Sequence, residues 1–161
     1  MNDNYLEHIR NEIITTETKV LVREYKNNLD KLTRNYNIGK ELTLAGKHYG
    51  EGIVKKYANI LTKEFGTTYG FTNLNYMRQF YNVIEKFHAL HGNLTWNHYL
   101  KLFPLNEINE LNYYISITIR DNLSYRNLSL RIKSDEYHRL SYVTRYKLET
   151  NKKNKVRRRS T

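Results

Sequence analysis

The sequence predicts an all-α protein: a compact multi-helix domain containing helix-turn-helix-like pairs, followed by a disordered basic C-terminal tail. Apolar residues recur at three- and four-residue steps through most of the chain, the spacing of one helix face. The 161 residues include only one Pro and seven Gly, too few breakers for a β-rich or linker-dominated chain. Ser, Thr or Asn stands immediately ahead of several periodic runs, where a side-chain oxygen can cap a helix.

Tyr5, Ile9 and Ile13, then Leu21, Tyr25, Leu29, Leu32 and Tyr36, mark the first helical stretch. The cluster Thr15-Thr16-Glu17-Thr18 favours a boundary within it, because β-branched and hydroxyl side chains disfavour helix interiors. A second helix fits Glu51 to Phe65, with Ile53, Tyr57, Ile60, Leu61 and Phe65 on its apolar face and Gly66 placed to end it. After the turn Gly66–Phe71, Thr72 caps a third helix carrying Leu74, Met77, Phe80, Tyr81, Ile84 and Phe87. Thr95 opens a short helix that ends before Pro104. Asn106 caps a helix with Ile108, Leu111, Ile115 and Ile119, and Ser124 caps another through about Lys133 that buries Leu128 and Ile132. Tyr57, Phe80, Tyr81 and Trp96 are expected in the core. Residues 1–148 form one helical domain in this reading, and 149–161 have no apolar period and read as a disordered tail.

Lys and Arg number 27 against 16 Asp and Glu, a net charge of +11. From Arg145 to Thr161 there are eight basic residues and one acid, so the tail is far more basic than the body. Such a balance points to a polyanion, since each phosphate neutralised releases condensed counterions. The tail offers only Val156 for insertion, which argues against a membrane surface. No stretch is long and apolar enough to span a bilayer, and the N-terminus lacks the apolar region of a signal peptide. The absence of Cys excludes disulfides and thiolate metal sites and suits a reducing cytoplasm.

Two places share the order helix, short turn, capping residue, helix: 51–65 with 72–87, and 106–121 with 124–133. The second helix of such a pair can set its first residues against base edges. The outward face of 72–87 offers Thr72, Asn73, Asn75, Tyr76, Arg78 and Gln79; that of 124–133 offers Ser124, Tyr125, Arg126, Asn127, Arg131 and Lys133. Amide and guanidinium groups pair bidentately with adenine and guanine. Lys152, Lys153, Lys155, Arg157, Arg158 and Arg159 would hold phosphates without regard to sequence.

An ordered series of motifs adds a resemblance over about residues 30–140. Tyr36-Asn37-Ile38-Gly39-Lys40, Tyr49-Gly50, Leu61-Thr62-Lys63-Glu64-Phe65-Gly66 and Gly70-Phe71-Thr72-Asn73-Leu74-Asn75-Tyr76-Met77-Arg78-Gln79-Phe80-Tyr81 come first. Leu94-Thr95-Trp96-Asn97-His98-Tyr99, Asn112-Tyr113-Tyr114, Asn122-Leu123-Ser124-Tyr125-Arg126-Asn127-Leu128 and Ile132-Lys133-Ser134-Asp135-Glu136-Tyr137 follow. The chain thereby resembles the helical N-terminal domain of the YhcG-type family of bacterial proteins. In that family the domain precedes a restriction-endonuclease-like nuclease domain. The resemblance implies a helix-turn-helix-like module associated with DNA. The sequence stops where the nuclease would begin, so recognition without catalysis is the expectation.

Other chemistries fit poorly. Glu24-Tyr25-Lys26 after Val20-Leu21-Val22 has the local look of a nuclease metal strand, yet the same residues suit a helix and no second carboxylate is well placed. His88, His91 and His98 lack further ligands for zinc. Neither a P-loop nor a G-x-G-x-x-G motif occurs. The reading is therefore a non-enzymatic module that binds double-stranded DNA and needs no cofactor. Its rival is a protein–protein adaptor that docks a separately encoded nuclease or restriction subunit, or a truncated remnant. An Ile/Leu seam over residues 5–32 leaves a homodimer open.

Overall fold

A computed structural model describes residues 4–140 and 143–147. Among them no strand occurs, and the all-α expectation holds. The chain divides into two compact units, Met1–Thr95 and Trp96–Thr161.

The first unit is built on α1 (Asn4–Tyr49), a continuous helix of 46 residues. The boundary expected at Thr15–Thr18 is absent. Thr18 Oγ1 donates back to the Ile14 carbonyl at 2.8 Å, so the hydroxyl is satisfied inside the helix instead of breaking it. Gly50, with φ of 88°, supplies the left-handed residue that turns the chain into α2 (Gly52–Phe65). Gly66 ends α2 as expected, with φ of 102° and its N–H donating to the Thr62 carbonyl at 2.9 Å. A single 3-10 turn (Thr67–Tyr69) then leads into α3 (Phe71–Phe87).

Packing in this unit is dominated by α3 against the second half of α1. Leu32, Leu42, Leu74, Met77 and Phe80 are buried between them, with Val54 and Ala58 contributed by α2. The helices run antiparallel: Tyr36 lies beside Tyr81 with ring centroids 5.2 Å apart, and Gly39 meets the backbone at Met77. The Tyr36 hydroxyl donates to the Glu85 carboxylate, a bond that pushes its ionisation up to about 12. The buried face of α2 differs from the expected one. Small Val54 and Ala58 approach the core, while Ile60 and Phe65 stay exposed, because close helix contact favours short side chains over long ones.

One amide ties the end of this unit to its start. Asn28 Nδ2 donates to the carbonyls of Gly92 at 2.9 Å and Leu94 at 2.7 Å, pinning the segment after α3 onto α1. Asn28→Ala is expected to cost about 1–2 kcal/mol of stability, the net worth of two such bonds. A urea titration checks it, and a midpoint within error of wild type would contradict it.

The second unit holds α4 (Trp96–Leu102), α5 (Ile108–Arg120), α6 (Tyr125–Lys133) and α7 (Glu136–Arg139). Tyr99, Leu102, Leu111, Tyr114, Ile115, Ile117, Leu128 and Tyr137 form its core. The buried Tyr114 hydroxyl accepts the Tyr137 N–H at 3.1 Å, joining α5 to α7. The His98 ring, also buried, bonds the Leu123 carbonyl at 2.7 Å through Nε2, and so links α4 to the turn before α6. Of the expected core aromatics, Phe80 is fully buried, whereas Tyr57, Tyr81 and Trp96 are half-buried.

Candidate nucleic-acid interface

The turn between α5 and α6 is defined at both ends by local chemistry. Asn122 adopts φ of 49°, a left-handed conformation that Asn tolerates better than most residues. The Leu123 N–H then reaches back to the Thr118 carbonyl at 3.0 Å, and that of Asp121 to Ile117 at 2.9 Å, completing a Schellman-type end to α5. Ser124 follows as the N-cap of α6, its Oγ accepting the Asn127 N–H at 3.1 Å. This cap is as expected from the sequence. The result is helix, four-residue turn, helix, with α6 packed against both α4 and α5.

The first turn of α6 holds no acid. Arg126 and Asn127 are exposed, and Tyr125 is half-buried. The Arg126 guanidinium lies 5.7 Å from the Tyr125 ring centre, and its Nε donates to the Tyr125 hydroxyl at 3.3 Å. The ring supports the cation without neutralising it. Lys133, at the other end of α6, is exposed too. Arg131 is different. It donates twice to Glu136, at 2.6 Å each, and once to Asp121 at 3.4 Å. Asp135, with φ of 54°, reverses the chain after α6 and delivers Glu136 to this position. Arg131 is thereby a clamp within the unit, and its guanidinium holds the Glu136 carboxyl below the usual carboxylate range.

On α3 the expected donors divide in the same way. Arg78 faces Glu51 in a bidentate pair of 2.8 and 3.0 Å, and also donates to Asn75 Oδ1 at 3.3 Å. It fastens the start of α2 to α3. Gln79 and Thr72 are exposed, while Asn73, Asn75 and Tyr76 are half-buried. Thr72 is not the cap: Gly70, extended at ψ of 164°, takes that place and Phe71 begins the helix. Likewise Glu107, not Asn106, precedes α5. Thr95 directly precedes α4, as expected. Lys152, Lys153, Lys155, Arg157, Arg158 and Arg159 lie outside the described residues.

The profile of the DUF1016 N-terminal domain matches residues 8–139. The chain belongs to that family. It is the nuclease-associated, YhcG-like group to which the ordered motifs pointed, and the match extends the likeness into the first 30 residues, which periodicity alone had covered. Neither the curated proteins nor the solved structures compared with the chain gave a match.

Within this DUF1016 N-terminal domain, Glu24, Tyr25 and Lys26 lie on α1, so they form no nuclease strand. Among the described residues, the side chains spaced for a metal ion are Glu107, Glu110 and His138, whose ligand atoms lie within 4.8 Å of one another. None of His88, His91 and His98 belongs to that group. The sequence reading missed it because His138 sits on a separate short helix. His138 Nδ1 bonds Asp135 Oδ1 at 2.6 Å, which raises the imidazolium ionisation, while burial raises that of Glu110.

Proposed function

We propose that this domain is a non-catalytic module that binds double-stranded DNA, with α5, the turn and α6 acting as a helix-turn-helix. The observation that carries the reading is the first turn of α6, where Ser124 fixes the helix start and Arg126 and Asn127 project from it without an acidic neighbour. Guanidinium and amide groups at a helix start suit base edges, and the helix dipole there favours a phosphate. Ser124 and Lys133 would contact backbone phosphates. Arg131 supports α6 from within the unit instead of reading DNA. Thr72, Asn73, Asn75, Tyr76 and Gln79 form a secondary face on α3, with Arg78 occupied by Glu51. The basic tail adds affinity without sequence preference.

Fluorescence anisotropy with duplex DNA pools across a salt series tests this. Binding is expected to weaken steeply with salt. Arg126→Ala should lower affinity for a selected site about tenfold while leaving thermal stability unchanged, since one well-placed contact of this kind is worth about 1–3 kcal/mol. Wild-type affinity in Arg126→Ala and Asn127→Ala alike would remove α6 as the reading element. A second reading, an adaptor for a separately encoded nuclease, draws on Phe65 and Phe71, which are 66% and 49% exposed beside the turn joining α2 to α3. Stoichiometric capture of a protein that survives nuclease treatment, and is lost in Phe65→Ser, would favour it.

A further inference from the structure

We infer that the first half of α1 is a self-association surface on which a second copy of this chain packs antiparallel, with the two-fold axis beside Ile13 and Ile14. Every residue from 4 to 27 is exposed, although α1 runs through this segment without a break. Ile13 and Ile14 are 51% and 60% exposed, Leu21 is 65% exposed, and Ile9 and Val20 are exposed beside them. Ile9 and Ile13 are four residues apart, and Ile13 and Val20, like Ile14 and Leu21, are seven apart, so they line one broad face. That face continues the one which α3 covers further along, at Leu32, Gly39 and Leu42. So many large apolar side chains exposed on one face, interrupted only by Arg10 and Glu17, mark an interaction surface.

Local propensity also asks for a partner. Ile9, Ile13, Ile14, Thr15, Thr16, Thr18, Val20 and Val22 are all β-branched, and such residues hold an isolated helix poorly. Helices of this composition draw their stability from packing of the apolar face. Within one copy, α1 meets the segment after α3 at Tyr25, whose ring lies against Gly92, and at Asn28, which bonds that segment.

Charge selects the occupant and its direction. Arg10 and Glu17 are seven residues apart, on the same face as Ile13 and Ile14. An antiparallel copy centred between Ile13 and Ile14 sets Arg10 of each chain opposite Glu17 of the other, and Leu6 opposite Leu21. The contact is then self-complementary, as a two-fold interface requires. It spans residues 6–21, roughly 24 Å of helix. A parallel pair would instead place Arg10 against Arg10 and Glu17 against Glu17. In the single chain Arg10 bonds Glu7 at 2.6 Å on the exposed helix surface, a pair of little energetic weight that leaves the guanidinium near the proposed partner.

Sedimentation equilibrium of the full chain without DNA decides the matter, and its outcome does not depend on whether DNA is bound. The wild type is expected to dimerise. Ile13→Asp should abolish the dimer, and far-UV circular dichroism at high concentration should show helix lost with it. Arg10→Glu and Glu17→Arg should each weaken dimerisation at least tenfold, whereas the double reversal should restore it. A wild-type monomer up to submillimolar concentration overturns the inference, including the case where another protein covers this face. So does a dimer indifferent to Ile13→Asp, or a double reversal no better than the single ones.

Discussion

Gly39→Ala is expected to destabilise the first unit by about 3 kcal/mol, the upper part of the range for an overpacked core site. The reason is geometric. A methyl group at Gly39 would stand 2.0 Å from the Met77 carbonyl oxygen, 2.7 Å from its carbon and 2.9 Å from Tyr81 Cβ. The first two are backbone atoms of α3 and cannot rotate away, so α1 and α3 must part along the whole contact that buries Leu32, Leu42 and Phe80. Alanine has the better helix propensity by about 1 kcal/mol, and the clash outweighs that gain. Gly46→Ala is the control: there a Cβ would meet Arg78 and Glu51 side-chain atoms at 3.5 Å, an ordinary contact. A chemical denaturation series should show Gly39→Ala shifted far to lower denaturant and Gly46→Ala close to wild type. Similar midpoints for the two would contradict this account of how α1 and α3 meet.

Arg131→Met is expected to cost the second unit about 2 kcal/mol. Methionine keeps much of the side-chain volume, so the loss measures the bonds to Glu136 and Asp121 and the carboxylate left behind. That value is within the range for charged hydrogen bonds and below that for a fully buried pair, since this one is only partly buried. The pH dependence identifies the cause. Glu136 ionises below the ordinary carboxylate value in the folded protein, chiefly because Arg131 donates to it. Its contribution is therefore complete above the unfolded carboxylate value, about 4.3, and is lost as pH falls through the lower folded value. Wild type and Arg131→Met should differ at neutral pH and converge in acid. A gap that stays constant through the acid range would mean that packing, not the ion pair, accounts for the loss. Arg131→Met should alter DNA affinity only as far as it loosens α6, whereas Arg126→Ala should act on affinity alone.

How much was legible in the sequence depends on how far apart the interacting residues lie along the chain. Features made by neighbours in the chain were readable: Gly66 ending α2, Ser124 capping α6 and the apolar spacing of α3 all depend on residues within about one turn. Features made by distant residues were not. Nothing local to Arg78 announces that Glu51 will take its guanidinium, since the pair depends on α2 folding back onto α3. Arg131 is a nearer case, because Glu136 is only five residues away, but their meeting requires the left-handed backbone at Asp135. The expected break at Thr15–Thr18 failed because Thr18 found a helix carbonyl as its partner. The face of α2 was misread because size decided the contact: Val54 and Ala58 fit against their neighbours, and Ile60 and Phe65 do not need to. The basic residues Lys152 to Arg159 of the tail lie outside the described residues.

Trp96, the single tryptophan of the chain, opens α4 and stands edge-on to Phe103 with ring centroids 5.9 Å apart. Both residues belong to the second unit, so the indole is an optical label that nature placed in one half of the molecule only. Its emission follows the melting of α4 and the elements around it, while circular dichroism is weighted towards the long α1 of the other half. Superimposable melting curves from the two signals would mean that the halves unfold as one cooperative system, and separated curves that each keeps its own thermodynamic identity. A lesion at Gly39 would then register in ellipticity and leave the fluorescence transition in place.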